Sequence, residues 1–79
     1  MAELSAAHRA LGAAMRERRR ELGLSQKQLA EAANCTSNYV SLVENGEGNV
    51  SLSKLLWLAY ALGVPASRLV AVAEAQFQP

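Results

Sequence analysis

The stretch LSQKQLAEAANCTSNYVSLVENG, residues 24–46, decides the fold of this 79-residue chain. Ser25 is followed three residues later by Gln28, which is the pattern of a capping box at the start of a helix. Leu29 begins the apolar side of that helix. Asn34 then stands where the chain must turn, and asparagine tolerates the left-handed conformation better than other residues except glycine. The stretch therefore predicts a short helix followed by a tight turn.

A second short helix follows the turn, and its two sides differ in chemistry. Thr36 is placed to cap it, and Val40 and Val43 point towards the core. The opposite side carries mostly small polar residues, namely Ser37, Asn38, Ser41, Leu42 and Asn45. A helix with short hydrogen-bonding side chains near its N-terminus fits the major groove of DNA. Residues 25–45 are therefore interpreted as a helix-turn-helix motif.

Side chains near the start of this second helix are the candidates for reading bases. Asn38 has the amide geometry for a bidentate contact with adenine. Thr36 and Ser37 can bond to several bases or to phosphate, and Ser41 lies on the same side. Leu42 has two interpretations that stay open at this point. It contacts a thymine methyl group, or it packs at the edge of the core.

Residues at the borders of this surface are candidates for contact with the DNA backbone. Gln26 lies at the N-terminus of the first motif helix, where its side chain and the helix dipole both meet a phosphate. Tyr39 has a hydroxyl within reach of a phosphate or base; alternatively its ring is half-buried and its hydroxyl lies in water. Asn45, with the backbone amides of residues 46–49, is placed to clamp the same strand. Alternatively, Asn45 and Gly46 simply end the helix.

The arginines are clustered before the motif, although the net charge of +1 is by itself no sign of a nucleic-acid partner. Arg16, Arg18 and Arg20 are candidates for phosphate contacts. Arg19 lies on the inward-leaning side of the first helix, and Glu44 lies at the end of the second motif helix. We expect Arg19 and Glu44 to form a structural ion pair. Removing one partner would cost up to about 3–5 kcal/mol because it strands the other charge.

The rest of the chain predicts further helices. Ser51 is placed to cap a fourth helix over residues 52–62, and Pro65 suits the first turn of a fifth helix over about residues 66–76. The apolar stripe of the fourth helix includes Leu52, Leu55, Leu56, Ala59 and Leu62. An apolar helical period also runs through the first part of the chain and ends at Gly23, a residue typical of a helix C-terminus. Together these patterns give five helices and no strand.

Length and composition favour one compact all-α domain over residues 1–79. The chain has room for a single domain, and a composition that is 51% hydrophobic argues against disorder. Cys35 is the only cysteine, so no internal disulfide and no zinc site are expected, and its place at the turn suggests a buried structural thiol. His8 is the only histidine, and there is no phosphate-binding glycine loop. We therefore expect no enzyme activity, metal, cofactor or small-molecule ligand.

The N-terminal residues lack the continuous apolar core of a signal peptide, since His8 and Arg9 interrupt it. The longest apolar run, residues 55–62, is far too short to span a membrane. We therefore expect a cytoplasmic protein without a membrane partner.

A set of motif residues distributed over most of the chain, from Leu11 to Leu69, matches one known family. These are Arg16 and Arg19, Leu22-Gly23-Leu24-Ser25-Gln26, Leu29-Ala30, Val40-Ser41, Val43-Glu44-Asn45-Gly46, Ser51-Leu52, Leu55, Leu58-Ala59 and Ala61-Leu62-Gly63-Val64. In this pattern the chain resembles the phage-repressor and Cro-like helix-turn-helix proteins, the XRE family. The run Asn38-Tyr39-Val40-Ser41 and the length resemble the restriction-modification controller proteins within it. Asn34 departs from the family's frequent turn glycine, and Val50 departs from a frequent proline.

The resemblance implies a five-helix lambda-repressor-like DNA-binding domain that dimerises on an operator of two half-sites. It places Gln26, Ser37, Asn38 and Leu42 at DNA-facing positions and Arg19 and Glu44 in a structural ion pair. The recognition helix lacks the arginine or glutamine that often dominates base readout, so the preferred DNA sequence does not follow from it.

The resulting hypothesis is a homodimeric, sequence-specific transcription regulator whose recognition helices enter successive major grooves of a pseudo-palindromic operator. We expect the fifth helix to supply the dimer interface, through Val64, Leu69, Val72 and Phe77. The alternative is that Leu69 and Val72 belong wholly to the core of one copy. Two other functions fit the same fold, an antitoxin that binds both DNA and a toxin, and a protein-interaction module.

Overall fold

The computed structural model describes residues 2–77, with side chains from residue 5 onwards. It contains five helices, α1 (Ala2–Glu21), α2 (Gln26–Ala32), α3 (Ser37–Glu44), α4 (Leu52–Leu62) and α5 (Ala66–Ala75), and no strand within those residues. The all-α, five-helix fold class is therefore confirmed.

Three helices begin where the sequence places a capping residue. At α2, the Ser25 hydroxyl accepts a hydrogen bond from the Gln28 amide at 3.0 Å, and the Gln28 side chain accepts one from the Ser25 amide at 2.8 Å. At α3, the Thr36 hydroxyl accepts from the Tyr39 amide at 3.1 Å. Ser51 caps α4 in the same way. These bonds satisfy amides that have no partner inside a helix, so the start of each helix is determined within a few residues.

Left-handed backbone conformations determine where the turns lie. Asn34 adopts φ +57°, so the predicted left-handed turn between α2 and α3 is confirmed. Gly46, after α3, has φ +74°, and a Cβ added there would lie 2.9 Å from the Cα of Arg9. Glycine is therefore required at position 46 both by the backbone conformation and by the close approach of α1.

The core lies between all five helices, because each helix turns one apolar side inwards. Its largest fully buried side chains are those of Met15, Leu29, Val40, Val43, Leu58 and Leu62. The helix α5 contributes Leu69, which is 4% exposed, and packs along α1. The helix α3 is held between α1 and α2, which fixes the orientation of its outer side.

The predicted apolar stripe of α4 is wrong at two positions. Leu52 is 72% exposed and Leu56 is 52% exposed, whereas Leu58 is fully buried. Successive residues of a helix lie about 100° apart. Leu56 therefore lies beyond the edge of the side that carries Leu55 and Ala59, and Leu58 lies at the opposite edge of that side.

Gly12 allows α1 to approach the end of α3 closely. A Cβ added there would lie 2.6 Å from the carbonyl oxygen of Glu44 and would also meet that of Val43. No side chain fits in this space without displacing the backbone. Gly12 therefore sets the distance between α1 and α3.

A sharp bend separates α4 from α5. Gly63 ends α4 in the left-handed conformation, and Pro65 lies immediately before α5 with φ −65°. Together the two helices have the length and composition of a membrane span, but they are bent by 113°. Within residues 2–77, no single helix is long and apolar enough to cross a membrane.

Candidate DNA-binding surface

The outer side of α3 presents an open polar surface at its N-terminal end. Ser37 and Asn38 are exposed, and Ser41 is half-buried one turn later. Their side chains make no hydrogen bond to any other side chain or backbone group within residues 5–77. On the opposite side, Val40 and Val43 are buried as predicted. The buried side of α3 therefore fixes the helix to the core, and the polar side chains on its outer side keep their donors and acceptors free.

Thr36 and Tyr39 both have structural hydrogen bonds at the border of this surface. The Thr36 hydroxyl oxygen caps α3, and its O–H remains free to donate. The half-buried Tyr39 donates its hydroxyl to the carbonyl oxygen of Asn49 at 3.2 Å. Burial raises the pKa of Tyr39, and the nearby Cys35 raises it further. Tyr39 therefore stays a protonated donor that ties α3 to the loop before α4.

Leu42 lies at the junction of the polar surface and the loop after α3. Its side chain is 37% exposed. A Cβ on Gly48 would lie 3.4 Å from the Cβ of Leu42, which places this loop directly beside it. The Leu42 side chain therefore lies beside this loop and presents its exposed part to solvent.

Glu44 is the acceptor at the centre of a network of side chains at the C-terminal end of α3. Its side chain is completely buried. Arg19 donates to it twice, from Nε to Oε2 at 2.7 Å and from Nη2 to Oε1 at 3.0 Å. Arg16 donates from Nε at 3.2 Å and Gln26 from Nε2 at 3.1 Å, both to Oε1. The network joins α1, the start of α2 and the end of α3.

The charges in this network depend on each other. Burial alone would raise the pKa of Glu44, but the hydrogen bonds from Arg19, Gln26 and Arg16 outweigh it and hold that pKa below its ordinary value. The bond to Glu44 raises the pKa of Arg19 despite the burial of the guanidinium. Arg19 also donates from Nη1 to the carbonyl oxygen of Leu24 at 2.8 Å. Both groups are therefore ionised at neutral pH.

Three residues that the sequence proposes as DNA contacts meet at this network. Arg16 donates from Nη2 to Oδ1 of Asn45 at 2.7 Å, besides its bond to Glu44. Gln26, at the first position of α2, is turned towards the same carboxylate. The links of Arg16 and Gln26 to Glu44 do not follow from the sequence reasoning. The signal for one of them is spacing, because Arg16 and Arg19 are three residues apart and so share one side of α1.

The basic side chains around this surface are not equivalent. Arg18 donates from Nε to the carbonyl oxygen of Leu62 at 3.0 Å. It therefore supplies a hydrogen bond to a free carbonyl group at the end of α4. Lys54 donates to the carbonyl oxygen of Asn34 at 3.0 Å, which attaches α4 to the turn of the motif. Arg20 is exposed. Of these three, Arg20 alone has its side chain in solvent.

The single cysteine is a structural residue at the turn. Cys35 is half-buried and packs against the core. Burial raises the pKa of its thiol, an effect that Lys54 opposes in part. The thiol is therefore protonated at neutral pH. Within the described residues there is no group of three or more histidine, cysteine or acidic side chains that would hold a metal ion.

The residues expected at a dimer interface differ in how much surface they offer. Leu69 is 4% exposed and belongs to the core, so it has almost no surface left for a partner. Val64 is half-buried, while Val72 and Phe77 are 41% and 44% exposed. Leu69 therefore belongs to the core of one copy, as the alternative interpretation expected, whereas Val72 does not.

A capped helix, a left-handed turn and a second helix with an open polar side define a helix-turn-helix DNA-binding domain. The family model for this helix-turn-helix domain matches residues 10–72, and the chain belongs to that family.

Known relatives include regulators of phage and bacteria. The chain is 44% identical over 52 residues to the immunity repressor protein of Bacillus phage phi105. This match covers 66% of the chain but only 36% of the repressor, so the chain spans about a third of that relative's length. The expected resemblance to phage repressors is confirmed.

Two solved structures share the fold. One is the restriction-modification controller protein C.AhdI from Aeromonas hydrophila, with a TM-score of 0.79 and 40% identity, covering 82% of this chain and 94% of that one. The other is the clp gene regulator ClgR from Corynebacterium glutamicum, with a TM-score of 0.81 and 32% identity, covering 91% and 92%. The expected similarity to the controller proteins is thus confirmed as well.

Proposed function

We propose that this chain is a sequence-specific DNA-binding transcription regulator in which α3 enters the major groove. The observation that carries the proposal is the outer side of α3, where Ser37 and Asn38 are exposed while the buried side of the helix is fixed to the core. In this role Asn38 reads adenine, and Ser37 and Ser41 bond to neighbouring base edges. Leu42 contacts a thymine methyl group with its exposed part.

The contacts to the DNA backbone flank this base-reading surface. Gln26 lies at the N-terminus of α2, and Thr36 has a free hydroxyl proton at the N-terminus of α3. Asn45 lies at the far end of α3, where Arg16 of α1 donates to it, and both contact the same strand. Tyr39 acts through its bond to Asn49, which positions the loop backbone. Such contacts make binding sensitive to salt, because each neutralised phosphate releases counterions.

The regulator acts as a homodimer in the cytoplasm, on a pseudo-palindromic operator with one half-site for each copy. One α3 helix reads only a few base pairs, so a single copy supplies little specificity. Two copies related by a two-fold axis place their recognition helices about 34 Å apart, one turn of DNA. The similarity to a phage immunity repressor and to C.AhdI supports a role in regulation.

Selection of binding sites from a random DNA duplex pool tests this proposal. The purified chain is used at two salt concentrations, with the variant Asn38→Ala as a control. We expect a two-fold symmetric site with half-site centres about 10 base pairs apart, and an affinity that falls steeply with salt. A single unrepeated site would contradict the dimer. No enrichment at either salt concentration would contradict DNA binding and favour a protein-interaction module.

A further inference from the structure

The helix α4 carries an apolar surface that the fold leaves uncovered. Leu52 is 72% exposed, Leu56 52%, Trp57 44% and Tyr60 77%. With Ser53, these residues line a shallow groove along the outer side of the helix, and none of the five is charged. We call these five residues the α4 face. Large apolar side chains grouped in this way are typical of an interaction surface, whereas single exposed ones are not.

The two aromatic residues of the α4 face already support each other in one copy. The rings of Trp57 and Tyr60 have centroids 6.3 Å apart and planes at 89°, which is an edge-to-face arrangement. Such a pair restricts both side chains before any partner binds. A partner therefore meets a surface that loses little conformational freedom on binding.

The exposed area suits an association between two proteins. From their exposed fractions, the four large side chains present on the order of 500 Å², taking about 200 Å² for each complete residue. A standard interface buries about 800 Å² on each partner. The α4 face therefore supplies more than half of the area that a specific dimer requires.

We propose that the α4 face docks against the α4 face of a second copy of this chain. The proposal rests on the homodimer of the proposed function and names the surface that forms it. Leu52, Leu56 and Tyr60 are spaced four residues apart, so they form a ridge about 12 Å long. In a two-fold antiparallel pair, Leu56 meets Leu56 near the axis and Leu52 meets Tyr60 of the other copy. The absence of charge among the five lining residues lets identical surfaces meet without repulsion.

The exposed apolar residues of α5 do not form an equivalent surface. Val72 lies in a groove with the charged residues Glu17, Arg18, Glu21 and Arg68. Val70 and Phe77 lie in a different groove, beside Glu74. Positions 70 and 72 are about 200° apart around the helix, so no flat partner contacts both. The α4 face is therefore the more continuous apolar surface, and the sequence-based hypothesis of an α5 interface is the competing outcome.

Sedimentation velocity over a range of concentrations tests the proposal on the full chain and two matched variants. Leu56→Lys places a charge at the proposed axis, where it faces its own copy, and we expect the dimer dissociation constant to rise at least about 100-fold. Val72→Lys makes the same chemical change at a similarly exposed site on α5, and we expect a change of about twofold or less. Far-ultraviolet circular dichroism checks that both variants remain folded, since neither position is in the core.

The single tryptophan provides a second measurement. Trp57 lies in the α4 face, so its fluorescence should shift to shorter wavelength as the chain dimerises and not shift in Leu56→Lys. A chain that stays a monomer at every concentration and on DNA would refute both the homodimer and this surface. A chain that dimerises without a change in Trp57 emission, and is dissociated by Val72→Lys instead, would refute the α4 face and leave the homodimer intact.

Discussion

The Glu44 network allows a quantitative prediction about stability. The variant Glu44→Ala removes the only acidic side chain that contacts Arg19 within the described residues, and the Arg19 side chain is only 11% exposed. Leaving a buried charge without its partner costs about 3–5 kcal/mol. A domain of this length has a free energy of unfolding of roughly 4–12 kcal/mol. The variant should therefore lose a large part of its stability, and its Tm should fall on the order of 20 °C.

Urea unfolding followed by circular dichroism measures this loss. Glu47→Ala is the matched control, because Glu47 is an exposed glutamate three residues further on, and its replacement should change stability by less than about 0.5 kcal/mol. The double variant Arg19→Met, Glu44→Leu should be more stable than Glu44→Ala, since it leaves no buried charge unpaired in that pair. If Glu44→Ala loses less than about 1 kcal/mol, or the double variant is no more stable, the reasoning about a stranded charge is wrong.

The remaining predictions concern DNA readout, packing and pH. Asn38→Ala should lose roughly 1–3 kcal/mol of discrimination at one base pair with little change in non-specific binding, measured by competition with operator variants. Gln26→Ala should weaken binding to all sequences alike in the same assay, because the partner that we propose for Gln26 is a phosphate. Gly12→Ala should destabilise the fold by about 1–3 kcal/mol in urea, although alanine favours helices, because its Cβ meets the backbone at the end of α3. Since the pKa of Glu44 is lowered by folding, its contribution to stability is complete above the ordinary value of about 4.5 and is lost as the pH falls below it. Between pH 7 and pH 3, the free energy of unfolding measured in urea should therefore fall more for the wild type than for Glu44→Gln.

Each of these predictions has an outcome that contradicts it. An equal loss of affinity for all DNA sequences in Asn38→Ala would make this residue a phosphate contact. A changed base preference in Gln26→Ala would make that residue a reader of bases. The control for Gly12→Ala is Gly48→Ala, whose added Cβ would lie at an ordinary 3.4 Å from the Cβ of Leu42. Equal stability of the two variants would refute the close approach of α1 to α3 at Gly12. If the free energy of unfolding falls equally with pH in the wild type and in Glu44→Gln, Glu44 does not cause the acid sensitivity.

The resting arrangement of the Glu44 network has a consequence for the proposed DNA contacts. Gln26 and Arg16 both donate to the buried carboxylate, and Arg16 also donates to Asn45. Their positions are thus defined before DNA is bound, which reduces the conformational entropy lost on binding. The same carboxylate that stabilises the fold also orients the proposed backbone contacts.

The sequence by itself determined the helices, their boundaries and the side of α3 that faces outwards. Ser25, Thr36 and Asn34 act through hydrogen bonds and backbone conformations that are complete within three or four residues. The helical spacing of Val40 and Val43 is enough to show that the polar side of α3 lies opposite them. The positions of Arg19 and Glu44 in their helices, together with the family resemblance, also predicted an ion pair between residues 25 positions apart, and the structure places these two side chains in contact.

Only the tertiary structure decided how the distant parts of the chain combine. Helical spacing predicted that Leu52 and Leu56 are buried, but spacing does not show where neighbouring helices stop covering a helix, and both residues are exposed. Likewise, one buried carboxylate accepts bonds from residues 18 to 28 positions away, and no local pattern records how many donors converge on it. The local elements follow from interactions between near neighbours in the sequence. The Glu44 network and the uncovered α4 face follow from packing, which depends on all five helices together.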